Sequence, residues 1–192
     1  MSLLRIRADS WQRTCSARAS VRPRQFRVIM CPVPRTTYGA SFAEKIGSFR
    51  NNQGNKMPLP LTRQEFKKYL YASADERYSF FIKRARIELQ FWLLRNAETK
   101  DIVFTEDPES QSITIPVWPH PDFAMEFTKK NALTNCEPKE LSLVKWLANW
   151  VPKLDEVSIE IAVFPTGDSD CVTIEAREFT EEIDPQNLGG LS

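Results

Sequence analysis

The net charge of this 192-residue chain is only +1, but that value hides a break that limits what can fold as one unit. Residues 1–56 carry eleven Lys and Arg against Asp9 and Glu44 alone, a net of +9. Residues 57–192 carry fifteen basic against twenty-three acidic side chains, a net of −8. One core seldom partitions charge so sharply along its sequence. The break beside Lys56 therefore separates a basic extension, 1–56, from a single domain, 57–192.

In the extension, arginines from Arg5 to Arg50 stand among Ser, Ala and Pro, and Pro23, Pro32 and Pro34 interrupt any long helix. Three readings fit this composition. It is an over-extended translation start, with Met57 or Met30 the true first residue; a targeting segment; or a basic arm for nucleic acid or anionic lipid. The abrupt shift at Met57 favours the first. The apolar run Val28–Cys31 is too short and too late for a signal peptide. On each reading the segment is expected to be disordered and outside the core.

From Leu61 onward the punctuation becomes regular. Thr62 with Glu65, and Ser73 with Glu76, are capping boxes, and Leu61 with Phe66 is placed to staple the first helix. Tyr78, Phe81, Ile82, Ala85 and Leu89 then share one helical face, which leaves Arg77, Lys83, Arg84 and Arg86 as a solvated basic side. Extended pieces follow at Phe91–Arg95, Ile102–Thr105 and Ser112–Val117. In the last, Ile113, Ile115 and Val117 alternate with Ser112, Thr114 and Pro116, and Pro116 places the strand at an edge or ends it there. A helix from Pro121 to about Lys129 turns Phe123, Ala124 and Phe127 inward. Another runs from Ser142 to Trp150, with Pro152 as its stop. Val157–Val163 is the clearest strand; it turns at Pro165–Asp168 and returns as Cys171–Ile174, before a short helix pairing Phe179 with Ile183. Strands joined by hairpins and interleaved with helices read as α+β: a small, mostly antiparallel sheet of about five strands with helices packed against it.

Much chemistry is excluded. Cys15, Cys31, Cys136 and Cys171 fit no metal or redox spacing; the first two lie in the extension, and Cys136 and Cys171 read as small, half-buried hydrophobes in a reducing compartment. His120 is the only histidine, which rules out a multi-histidine metal site. No phosphate-cradling glycine loop and no nucleophile elbow occurs. Glu106, Asp107, Glu109, Asp168 and Asp170 lack calcium-loop spacing and read as solvated hairpin tips. No run approaches the ~18 apolar residues of a membrane span, and a net of −8 disfavours nucleic acid for the domain. No metal and no cofactor are expected.

What remains is a turn rich in recognition groups: Trp118, Pro119, His120 and Asp122. An indole beside prolines at a strand end is a common interface anchor. The same residues are open to a second reading, in which His120 and Asp122 serve a small enzyme or a metabolite-binding protein with Trp118 as a stacking wall. Trp118 is open to core or surface placement.

Ile115-Pro116-Val117-Trp118-Pro119-His120 with Phe123-Ala124 resembles the central motif of a family of small, mainly bacterial proteins, domain of unknown function 2750. Trp146-Leu147 with Trp150–Leu154 resembles its second signature, and Ile161–Pro165 its last strand and turn. The likeness runs from about Phe66 to Ile183. Asn96–Asp101 departs from it, lacking the glycine that often tips this turn. The resemblance implies a compact stand-alone cytoplasmic domain and brings no catalytic residues. Together these features lead to the expectation of a non-enzymatic protein-interaction module, an adaptor or an immunity-type protein, with an unidentified protein partner.

Overall fold

The computed structural model describes residues 27–30, 58–106, 112–167 and 171–184. In chain order its elements are β1 (Arg27–Met30), α1 (Arg63–Leu70), α2 (Ala74–Glu88), β2 (Gln90–Asn96), β3 (Val103–Glu106), β4 (Ile113–Val117), α3 (Pro121–Lys130) and β5 (Cys136–Ser142). Then come α4 (Leu143–Lys145), a π-helical turn (Trp146–Trp150), α5 (Val151–Val157), β6 (Glu160–Val163), β7 (Val172–Glu175) and α6 (Ala176–Ile183). Strands β1-β3-β4-β6-β7 form one sheet in that order, and β2 pairs with β5 in a second. Every pairing is antiparallel except β4 with β6. This is an α+β fold of mostly antiparallel strands, with more strands than the sequence suggested.

Both capping boxes form. The Thr62 hydroxyl accepts from the Glu65 amide at 3.1 Å, and the Glu65 carboxylate accepts from the Thr62 amide at 3.0 Å. Ser73 and Glu76 repeat the exchange at 3.3 and 3.1 Å. Each such cap stabilises its helix by about 1 kcal/mol. From α2, Phe81 and Ala85 go fully into the core, where Phe81 lies 5.9 Å from Phe91 and 5.7 Å from Phe179. Trp146 closes this cluster edge-on, 5.4 Å from both Phe91 and Phe179, and donates its indole N–H to the Thr180 hydroxyl at 3.2 Å. The inward face expected for α3 is the one observed, with Phe123, Ala124 and Phe127 buried.

The basic side of α2 is not solvated as expected. Arg77 is 1% exposed; its Nε donates to the Phe164 carbonyl at 3.1 Å and its terminal nitrogen to the Ala72 carbonyl at 2.6 Å. Arg84 is buried against Glu88, while Lys83 stays in solvent. A long guanidinium stem can reach carbonyls that a helical-wheel projection places out of range.

Pro116 marks no sheet edge, because β4 runs between β3 and β6, although the strand does end one residue further on, at Val117. The reason lies in the register. The Phe164 amide donates to the Val117 carbonyl, so Val117 turns its peptide groups toward β6 and Pro116 turns its own toward β3. There the β3–β4 register has already ended at Thr114, so no ladder donor is missing. On the same strand Ile113 is exposed and Thr114 buried, its hydroxyl 2.7 Å from that of Thr105.

Pro152 does not stop its helix. The Val151 amide bonds back to the Trp146 carbonyl across the π turn, and Pro152 then falls in the first turn of α5, where a missing N–H costs nothing. The helix ends instead at Ser158, whose φ of 54° is left-handed, so β6 begins at Glu160. Strand β5 was not legible in the sequence: Cys-Glu-Pro-Lys-Glu-Leu-Ser has no apolar alternation, yet it pairs with β2 from Gln90 to Asn96. The two sheets meet where Trp92 and Trp118 exchange backbone hydrogen bonds of 2.8 and 2.7 Å. Cys136 is buried and Cys171 half-buried. Asp107, Glu109, Asp168, Asp170, Cys15 and Cys31 lie outside the described residues.

Candidate functional site

The turn singled out in the sequence folds largely inward. Trp118 is fully buried; its indole N–H donates to the Pro165 carbonyl at 3.0 Å, and its ring centroid lies 5.1 Å from that of Phe127. Pro119 is also buried. His120 is the N-cap of α3: its backbone is extended, Pro121 begins the helix, and its Nδ1 accepts the Asp122 amide at 3.2 Å. Only Asp122 faces solvent, with its carboxylate 3.5 Å from the imidazole.

Burial lowers the His120 pKa below the usual 6.5; the Asp122 carboxylate opposes this, and Arg84 adds to the lowering. The neutral imidazole is also the form that can accept at Nδ1, so the cap bond and the desolvation favour one protonation state. That nitrogen is committed to the helix start rather than to a substrate. The structure thus brings all four predicted residues together, with Trp118, Pro119 and His120 buried as structural support and Asp122 left in solvent.

Phe123, next along α3, shows what is supported. Its ring lies 4.5 Å from Phe164, is stacked at 5.0 Å on Phe66, and meets Phe80 edge-on at 6.3 Å. Phe164 has a left-handed φ of 52°, a strained backbone for a bulky side chain. Its carbonyl receives Arg77 and its amide binds Val117, so surrounding contacts hold the strain in place.

On the far side of Phe80 a groove of about 620 Å³ opens between α1, α2 and the segment Leu59–Pro60. Its floor is Tyr69 stacked on Phe80, with centroids 3.7 Å apart. Lys68 Nζ lies 4.9 Å over the Tyr69 ring, and the Arg84 guanidinium carbon 5.9 Å from the Phe80 ring. Leu59 and Ile87 form an apolar lip, 48% and 59% exposed. Glu65 and Glu76 also line the groove; hydrogen bonds from Thr62 and Ser73 hold their carboxyls below the usual range, so both are ionised.

Arg84 builds the groove's end. Its guanidinium binds both the Glu88 carboxylate and the Leu59 carbonyl, while Glu88 accepts the Leu59 amide at 3.1 Å. This buried pair clamps the chain before α1 onto α2. None of the lining residues is a histidine or cysteine. An aromatic floor, an apolar lip and charges of both signs suit binding to a side-chain-sized group.

The sequence reading missed the groove. One signal was available: Ile87 is an apolar residue on the face of α2 opposite the stripe Tyr78–Leu89. The two buried side-chain atoms without a hydrogen-bond partner among the described residues, Trp92 Nε1 and Glu140 Oε2, belong to residues facing one another across β2 and β5.

The family model described as "Protein of unknown function (DUF2750)" matches residues 78–183, and the chain belongs to that family. No curated protein matches, and no solved structure does. The match takes in Phe80, Lys83, Arg84 and Ile87 of the groove and begins after Leu59–Glu76. Among the described residues no helix is long and apolar enough to cross a membrane.

Proposed function

We propose that this chain is a non-enzymatic protein-interaction module of the cytoplasm, adaptor or immunity-type, whose contact surface is the α1–α2 groove. The observation that carries this reading is the exposed lip of Leu59 and Ile87 over the Tyr69–Phe80 floor. Large apolar groups beside an aromatic recess and flanked by charge are what partner-binding surfaces present. Trp118, Pro119 and His120 act beneath it as its support, and Asp122 lies outside it. The partner group that fits is an apolar anchor bearing a carboxylate neighbour, which Lys68 and Lys83 would meet.

The test is photo-crosslinking in native cells, using the full chain with a photoreactive residue at Lys83 or, as a control, at Arg177 on α6. A partner trapped at stoichiometric level from Lys83 only, and lost with Ile87→Asp, is the expected result. A partner that survives Ile87→Asp but is lost with Asp122→Lys would move the surface to the turn. No partner from either position would overturn the module reading in favour of a small ligand, to be sought by thermal-shift screening.

A further inference from the structure

A second surface lies away from the groove, at the outer edge of β3. The register of β4 with β3 covers only Thr105 and Glu106. β1 is the strand that runs beside all four β3 residues, aligning Arg27 with Glu106, Val28 with Thr105, Ile29 with Phe104 and Met30 with Val103. Without β1, β3 would be the outer strand of the sheet, presenting Val-Phe-Thr with no Lys or Pro to guard it. Such an edge is a template for another strand.

The cover is a tethered one. Twenty-seven residues, 31–57, separate Met30 from the first described residue of the domain, Pro58. Because Arg27–Met30 belongs to the same chain as β3, its pairing is intramolecular and does not depend on protein concentration. A four-residue ladder is short, so occupancy rests on the tether as much as on the pairing itself. The register also sets a charge match, since Arg27 of the basic segment is aligned with Glu106 of the acidic domain.

We infer that the outer edge of β3 is a strand-accepting interaction site, and that Arg27–Met30 occupies it as an exchangeable internal ligand. The partner it fits is an extended segment with a basic residue opposite Glu106 and apolar residues opposite Thr105 to Val103. Recognition is by main-chain pairing, with specificity from the residue at the Glu106 end. The site is independent of the α1–α2 groove and of any partner there.

The experiment uses the full chain, the full chain carrying Val28→Pro and Ile29→Pro together, and a fluorescent peptide spanning Pro23–Met30. Two adjacent prolines remove the ladder donors whichever residue faces β3. The expected result is at least tenfold tighter peptide binding to the proline variant than to the wild type, whose own strand competes. Backbone amides at Val103–Glu106 should exchange faster in the variant and slow again when the peptide is added. The milder full-chain variant Arg27→Glu should speed the same exchange, and Arg27→Glu in the peptide should weaken its binding. Equal binding to both chains, no binding to the proline variant, or unchanged exchange in it would each overturn the inference. A wild-type chain that is dimeric only while residues 27–30 are intact would place a second copy's strand on the edge and overturn the tethered form.

Discussion

Phe123, the residue after the turn Trp118–Asp122, joins that turn to the two helices of the groove through Phe80 and Phe66, and the two regions divide their roles across these contacts. The turn holds a tryptophan, the sole histidine and flanking prolines, and the fold spends three of its four candidate residues inside. The groove is made from Leu, Ile, Tyr, Phe and Lys, and keeps several of them in solvent. The residues of the turn draw attention because they carry specific shapes and bonds. A core makes the same demand, and here the indole N–H on Pro165 and the imidazole at the α3 cap are core bonds. Exposed apolar side chains out of phase with a core stripe are the better guide to a surface.

The contrast breaks most readily at Trp118. Trp118→Ala removes a fully buried indole and orphans the Pro165 carbonyl, and should cost about 3–5 kcal/mol in chemical denaturation. Ile87→Asp, on the exposed lip, should stay within about 0.5 kcal/mol of wild type. Comparable losses for the two variants would erase the distinction between support and surface.

The Arg84–Glu88 pair sharpens it, since that pair is buried yet shapes the groove. Glu88→Ala leaves a guanidinium buried without its carboxylate and should destabilise by about 3 kcal/mol. Replacing both, Arg84→Met with Glu88→Leu, should recover most of that loss, because an apolar pair avoids the desolvation penalty. The double variant also loses the clamp on Leu59, so amide exchange at Leu59 should rise while global stability stays near wild type. A double variant as unstable as Glu88→Ala would mean that the clamp, and not the buried charge, holds this part of the fold.

How far each region could be read from the sequence follows from which forces are local. Thr62, Glu65, Ser73 and Glu76 cap their own helices, so both starts were visible. Phe123, Ala124 and Phe127 repeat at helical spacing and were placed correctly. Strand β5 was invisible because its polar residues pair with a strand some forty residues away, and nothing in its own pattern requires extension. Pro116 and Pro152 misled for one reason: a proline reports a missing N–H, but whether a bond was wanted there depends on register, with β6 in one case and across a π turn in the other. Arg77 and Arg84 looked solvated because their acceptors, the Phe164 and Leu59 carbonyls, lie 87 and 25 residues away. The groove combines these difficulties, since its floor and clamp are long-range and its lip is ordinary in composition.

The smallest expected effect concerns His120 and is read against pH. Burial lowers its folded-state pKa below the 6.5 of the unfolded chain, with Asp122 opposing. Between those two values the unfolded chain holds a proton that the folded chain does not, so stability rises with pH across that window. The contribution is full above 6.5 and is lost as pH falls toward the depressed folded value. His120→Asn keeps an acceptor at the α3 cap and removes the titration. The wild-type free energy of unfolding minus that of His120→Asn should therefore be flat at neutral pH and above, and should fall on acidification. A difference that grew in acid would mean that the imidazolium–Asp122 attraction outweighs desolvation. His120 would then belong, in its charged form, with the surface rather than with its support.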